Sequence, residues 1–133
     1  MDPKKFKNSS PRIKVIQKLY NSLMNPDSII EYPKSQYKKF IKDVVIGTLE
    51  RSELIEDQIN SHLKYDINLG KTDKLLKIIL FAAIFELMFK HNTPMKVIIN
   101  EYVLASEHFL EKIQIGYLNA ILDKISNKLR KDE

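Results

Sequence analysis

Histidine, cysteine and glycine decide first which chemistry the chain could perform. His62, His91 and His108 include no pair at i, i+4 spacing, and the chain has no cysteine that could complete a zinc site. The three glycines lie 23 and 46 residues apart, so they form no glycine-rich phosphate loop. No G-x-S-x-G nucleophile motif occurs. We therefore expect no catalytic residue, no metal site and no cofactor.

Basic side chains are concentrated at the beginning of the chain. Against Asp2 alone, residues 1–20 hold Lys4, Lys5, Lys7, Arg12, Lys14 and Lys18, which accounts for the whole net charge of +5. Two aromatic residues, Phe6 and Tyr20, lie within this segment. Single-stranded RNA is held by charge on its phosphates and by bases stacking on aromatic rings, at about 1–3 kcal/mol per base. The segment predicts a nucleic-acid-binding arm; the alternatives are a solvated tail and a Tyr20 that packs in the core.

Length and composition indicate one globular domain over residues 1–133. The chain has 133 residues, of which 44% are apolar, enough for one sizeable core. The longest apolar run, Ile78 to Phe85, has eight residues, whereas a membrane-spanning helix needs roughly 20. The N-terminal sequence lacks the apolar centre of a secretory signal. We expect a soluble protein of the reducing cytoplasm, without membrane association.

Apolar residues recur every three or four positions along most of the chain, which predicts helices throughout. The predicted helices cover about 13–24, 34–50, 55–63, 73–90, 94–109 and 112–130. A connection that contains Gly70 separates the first three from the last three. These elements would carry the basic segment at one end of an all-α bundle.

Asn100 and Glu101 interrupt the apolar run of the predicted helix 94–109. A buried amide is costly unless it is hydrogen-bonded. We therefore predict that Asn100 is a packing residue that bonds across helices, with Asn119 on the last helix as its partner. The alternative is that Glu101 faces a partner protein.

Four segments carry a resemblance to a known family. They read V-I-Q-K-L-Y at 15–20, F-E-L at 85–87, P-M-K-V-I-I-N-E at 94–101 and Y-L-N-A-I-L-D-K at 117–124. In this order the chain resembles the bacterial transcription antitermination factors of the NusB family. The resemblance implies a compact all-α bundle of about six to seven helices in two packed halves, about 12–66 and 72–131, after a basic arm over 1–11.

The resemblance also implies a function without catalysis. Family members bind boxA, a short single-stranded element of ribosomal RNA transcripts, together with NusE, a ribosomal small-subunit protein. The pair joins complexes that keep RNA polymerase from terminating early, which supports ribosomal RNA synthesis. Whether the free protein forms a homodimer stays open.

Individual positions follow the family pattern unevenly. Arg12 matches the last arginine of the arginine-rich family segment that touches RNA, whereas the preceding positions 8–11 carry no basic residue. Lys4, Lys5 and Lys7 would supply the missing charge. Tyr117 occupies the place of an aromatic residue that contacts RNA in the family, although its spacing to Ile121 also permits a core position. Phe81 stands where the family commonly has an arginine. The segment after the first helix is short, so one small family helix is expected to be missing or reduced.

Two other functions compete with RNA-dependent antitermination. One is a helical protein–protein adaptor whose basic arm touches acidic surfaces or nucleic acid nonspecifically. The other is the NusB-like RNA-binding domain found fused to RNA methyltransferases, for which 133 residues leave no room.

Overall fold

A computed structural model describes residues 10–131 and 133 of the chain. Within them it has six α-helices and no β-strand, which confirms the predicted all-α fold. The helices are α1 Pro11–Met24, α2 Lys38–Glu50, α3 Ser52–His62, α4 Lys74–Phe89, α5 Met95–Ser106 and α6 Lys112–Leu129. A short 3-10 turn, Leu69–Lys71, precedes α4.

Helix α4 is the centre of the bundle. Ten of its 16 residues are buried, and it packs against each of the other five helices. A helix surrounded in this way needs apolar residues on all sides, which explains its continuous apolar sequence. The other five helices, α1 to α3, α5 and α6, are amphipathic, and each packs its apolar face against this core.

Side chains cap the N-terminal ends of two helices. The Asp73 carboxylate accepts hydrogen bonds from the backbone N–H groups of Leu75 and Leu76, at 3.1 and 3.2 Å. At α6, Glu111 and Gln114 form a capping box, in which each side chain bonds the other residue's backbone N–H. Both caps satisfy N–H groups that have no partner within the helix.

Gly47 allows α2 to approach α4 closely. A Cβ atom at this position would lie 2.2 Å from the tip of the Phe85 ring. The ring itself packs against Phe89, with 5.1 Å between the two ring centroids. A side chain at position 47 would therefore have to displace the Phe85 ring, so this glycine fixes the distance between the two helices.

Arg130 hydrogen-bonds backbone carbonyl groups at and just after the C-terminal end of α4. Its buried guanidinium donates to the carbonyl oxygens of Leu87 and Lys90, each at 2.9 Å, and of Thr93 at 2.5 Å. It also pairs with the Glu133 carboxylate at 2.9 Å. A cation at this end of a helix bonds otherwise unpaired carbonyls and complements the helix dipole. The contact ties the end of the chain to α4.

The structure contradicts the predicted burial of Asn100. Asn100 and Asn119 are both exposed, so no buried amide pair joins α5 to α6. Ile98, Tyr102 and Ala105 face the core instead. Their spacing of four and three residues defines the buried face, and Asn100 lies on the other side of the helix.

The connection between α1 and α2 contains no helix. Residues 25–37 form turns, bends and irregular chain. Helix α2 also begins at Lys38 rather than near 34. Lys34, Ser35 and Gln36 are exposed and give that stretch no core contact that would stabilise a helical turn.

Candidate nucleic-acid interface

The predicted basic arm is only partly within the described structure. Lys4, Lys5 and Lys7 lie outside the described residues. Helix α1 then carries Arg12, Lys14 and Lys18, of which Lys14 is exposed on the helix surface. These three side chains have different surroundings, and only the exposed one is positioned as a simple surface charge.

Arg12 is engaged inside the bundle. Its Nε and Nη2 donate to the two carboxylate oxygens of Glu86, at 3.0 and 2.7 Å. The Arg12 side chain is 11% exposed and that of Glu86 is completely buried. The guanidinium also lies 4.9 Å from the centroid of the Phe40 ring, in cation–π geometry. Arg12 thus joins α1 to α2 and α4, and its predicted RNA contact stays a prediction.

Tyr102 completes this buried cluster. Its hydroxyl donates to Glu86 Oε2 at 2.5 Å, and the residue is fully buried. Burial and then the adjacent Glu86 carboxylate raise the pKa of the Tyr102 phenol well above its usual value. Burial by itself would lower the pKa of Arg12. The hydrogen bonds and the negative charge of Glu86 have the larger combined effect, so the Arg12 pKa is raised. The cluster therefore holds a charged arginine and a neutral tyrosine around one carboxylate.

Lys18 holds the connection after α1. Its ammonium group donates to the backbone carbonyl of Glu31 at 2.5 Å. It also lies 5.5 Å from the centroid of the Tyr32 ring. These contacts are local to the α1–α2 connection and orient the chain before α2 begins.

Tyr117 lies at the edge of the fold. Its side chain is 40% exposed, whereas the adjacent Leu118 is completely buried. Its hydroxyl donates to the backbone carbonyl of Asp66 in the α3–α4 connection. Burial of the hydroxyl and then the Asp66 charge raise the Tyr117 pKa. The ring is therefore fixed by one hydrogen bond while much of its surface stays open.

This hydrogen bond joins α6 to the α3–α4 connection, and these two segments carry several exposed side chains. We call the surface formed by Lys64, Tyr65, Ile113, Tyr117 and Lys124 the Tyr117 face. The Lys124 ammonium pairs with the Asp66 carboxylate at 2.7 Å. Tyr65 and Ile113 are 90% and 85% exposed. The Lys64 ammonium lies 5.2 Å from the centroid of the Tyr65 ring. The face therefore combines aromatic rings with positive charge.

The predicted RNA-binding residues do not share one set of contacts. Arg12 contacts α4, α5 and the Phe40 ring. Lys18 contacts the α1–α2 connection, and Tyr117 contacts the α3–α4 connection. Sequence reasoning missed Tyr65. The sequence does contain a signal for it, because Tyr65 follows the basic residue Lys64, just as Phe6 lies beside basic residues in the N-terminal segment.

A groove of about 430 Å³ forms a second surface feature. It lies between the end of α1, the end of α2 and the first half of α4. Its mostly apolar wall includes Leu23, Leu49, Ile78 and Phe81. Thr48 also lines it, and its buried hydroxyl has no hydrogen-bond partner among the described residues. Phe81 thus contributes apolar surface at the position where the family resemblance implies an arginine.

The described residues contain no group of three or more His, Cys, Asp or Glu side chains that could hold a metal ion. Among the helices of residues 10–131, none is long and apolar enough to cross a membrane.

A profile of the NusB family matches residues 7–127, which include all of α1 to α5 and most of α6. The chain belongs to the NusB family. The transcription antitermination protein NusB of Rickettsia bellii is 33% identical over 92% of this chain and 91% of that protein. The protein of the same name from Rhodopseudomonas palustris is 32% identical over 71% of this chain, and the match spans 54% of its length.

A solved NusB structure shares this architecture. T. maritima NusB superposes with a TM-score of 0.77 over 89% of each chain, at 21% identity. At this identity the likeness establishes the NusB fold alone.

Proposed function

We propose that this NusB-family chain is a transcription antitermination factor that binds boxA-type single-stranded RNA of ribosomal RNA transcripts. In this proposal it acts together with NusE and joins the RNA polymerase antitermination complex. The observation that carries the proposal is the half-exposed Tyr117 ring at the position of the family's RNA-contacting aromatic. The names of the relatives support the antitermination role.

RNA binding would use charge from one part of the chain and stacking from another. Lys4, Lys5, Lys7 and the exposed Lys14 would attract the phosphates, while Tyr117 would stack against a base. The bond from the Tyr117 hydroxyl to Asp66 fixes the ring before RNA arrives. Such preorganisation lowers the entropic cost of binding.

The apolar groove is the surface that we propose for the protein partner. Leu23 and Leu49 on its wall are 50% and 44% exposed, and the Thr48 hydroxyl is buried without a partner in the described chain. A partner that covers the two leucines would bury apolar surface. Leu49→Lys should therefore weaken NusE binding. Leu54→Lys is the matched control, because Leu54 is 42% exposed and lies outside the groove.

The test is a gel-shift experiment with boxA-like RNA and a scrambled RNA of equal length, each with and without NusE. The proposal expects a shift that favours boxA-like RNA and that NusE strengthens. A protein–protein adaptor is the second candidate, favoured by the groove and by the internal contacts of Arg12 and Lys18. Binding of NusE with equal, weak binding of both RNAs would support the adaptor and contradict the proposal.

A further inference from the structure

Two highly exposed apolar side chains stand on the segments that the Tyr117 hydrogen bond joins. Three large apolar side chains of the described residues are at least 85% exposed: Ile29, Tyr65 and Ile113. Ile113 precedes Tyr117 by four residues on α6, so the two are neighbours on the helix surface. Tyr65 directly precedes Asp66, whose carbonyl accepts the Tyr117 hydroxyl bond. Two of the three most exposed apolar groups therefore stand on the two segments that the Tyr117 hydrogen bond joins, α6 and the α3–α4 connection.

The backbone that carries Tyr65 is held in place. The N–H groups of Asp66 and Ile67 both donate to the Leu63 carbonyl, at 2.9 and 3.1 Å. The Asp66 side chain is bonded by Lys124 and its carbonyl by Tyr117. These bonds fix the turn on which Tyr65 stands, although its ring itself is left in solvent. An exposed aromatic ring on a fixed turn is available to a ligand.

Charge around Tyr65 suits a polyanion. The Lys64 ammonium stands 5.2 Å from the Tyr65 ring centroid, and Lys124 offsets the Asp66 carboxylate at 2.7 Å. Single-strand binding surfaces combine positive charge along the backbone with aromatic rings under successive bases. Lys64 and Tyr65 supply one of each.

Gly116, which precedes Tyr117 on α6, is exposed. A Cβ atom at this position would meet nothing within 4 Å, so the packing of the described chain does not require glycine there. Glycine inside a helix lowers stability relative to alanine. Its bare backbone does allow a ligand to come close to the helix. The RNA strand is a ligand that would use this space.

We propose that Tyr65 is a second base-stacking residue, which holds a base of the RNA strand next to the base at Tyr117. This inference rests on the proposed RNA-binding function and adds a contact on the α3–α4 connection. The strand would run from α6 across Gly116 to the turn that carries Lys64 and Tyr65.

The experiment compares Tyr65→Ala, Tyr65→Phe and the control Tyr37→Ala, since Tyr37 is an exposed tyrosine at the start of α2. Affinity for boxA-like RNA is measured together with NusE binding and the melting temperature. Tyr65→Ala should weaken RNA binding by about 5- to 150-fold, the equivalent of one stacked base. NusE binding and melting should not change, and Tyr65→Phe should bind RNA like the parent.

Each contrary outcome has a distinct meaning. If the parent binds RNA and Tyr65→Ala binds it as tightly as Tyr37→Ala does, Tyr65 is not a stacking residue and the proposed function stands. Loss of NusE binding in Tyr65→Ala with RNA affinity retained would place the tyrosine at the protein interface and overturn the inference. A parent protein that binds no RNA would overturn the proposed function and this inference together.

Discussion

Replacing Arg12 by alanine should strongly destabilise the fold, because it leaves the Glu86 carboxylate buried without its cation. Glu86 is completely buried, and two hydrogen bonds at 2.7 and 3.0 Å join it to Arg12. Removing one partner of a buried ion pair costs about 3–5 kcal/mol. The Tyr102 hydroxyl remains bonded to Glu86, so we expect a loss near the lower end, about 3 kcal/mol.

Urea unfolding followed by circular dichroism measures this loss as a change in the free energy of unfolding. Lys14→Ala is the matched control, since Lys14 is exposed on the same helix. The free energy of unfolding of this variant should stay within about 0.5 kcal/mol of the parent value. The double variant Arg12→Met with Glu86→Leu removes both charges. Its loss in free energy of unfolding should be smaller than the sum of the losses in the two single variants.

The opposite result would return Arg12 to the RNA surface. If Arg12→Ala lowered the free energy of unfolding by less than about 1 kcal/mol, the Glu86 contact would not be holding α1 in solution. A loss of RNA affinity in that same stable variant would then support the RNA contact that the sequence predicts for Arg12.

Three further predictions concern RNA binding and alkaline stability. Changing Lys4, Lys5 and Lys7 to alanine should reduce the slope of log affinity against log salt by about 2, at roughly 0.7 per lost phosphate contact; an unchanged slope would remove these lysines from the interface. Tyr117→Ala should weaken RNA binding by about 1–3 kcal/mol with a smaller loss of stability, whereas a large fall in melting temperature with unchanged RNA affinity would assign it to packing. The raised Tyr102 pKa means that the folded protein keeps a phenol proton that the unfolded chain releases near pH 10.0, so stability should fall as pH rises above that value. Tyr102→Phe should flatten this decline in unfolding experiments from pH 8 to 11, and an equally steep decline would show that other groups cause it.

Helices with strong sequence signals were predictable within a residue or two. Helix α4 was expected over 73–90 and occupies Lys74–Phe89; α6 was expected over 112–130 and occupies Lys112–Leu129. Both have dense apolar patterns and side-chain caps at their N-terminal ends. The start of α2 was placed too early because Lys34 to Gln36 are polar and uncapped, so local pattern says little there.

Long-range polar contacts could not be predicted from local sequence. Arg12 and Glu86 are 74 residues apart, so the arginine's charge indicates a surface residue until the fold places the carboxylate beside it. Arg130 similarly bonds carbonyls about 40 residues earlier in the chain. The prediction that Asn100 is buried was wrong for a related reason. One polar residue in an apolar helix does not indicate which side of the helix faces the core.

The candidate site was predictable only in part. The family motif led to Tyr117, whose half-exposed ring fits an RNA contact. Tyr65 lies in a connection without helical periodicity, where sequence pattern does not distinguish a fixed turn from a loose loop. The contacts that fix this turn join Asp66 to Tyr117 and Lys124, which lie 51 and 58 residues further along the chain, so local sequence does not indicate them.

RNA affinity measured by fluorescence anisotropy tests the proposed function most directly. The purified chain is titrated with NusE against labelled boxA-like RNA and a scrambled RNA of equal length and composition, over a range of salt concentrations. We predict tighter binding of the boxA-like RNA at each salt concentration, with affinity that falls as salt rises. Equal affinity for the two RNAs, or no binding of either at low salt, would contradict the proposal that this NusB-family chain recognises boxA-type RNA.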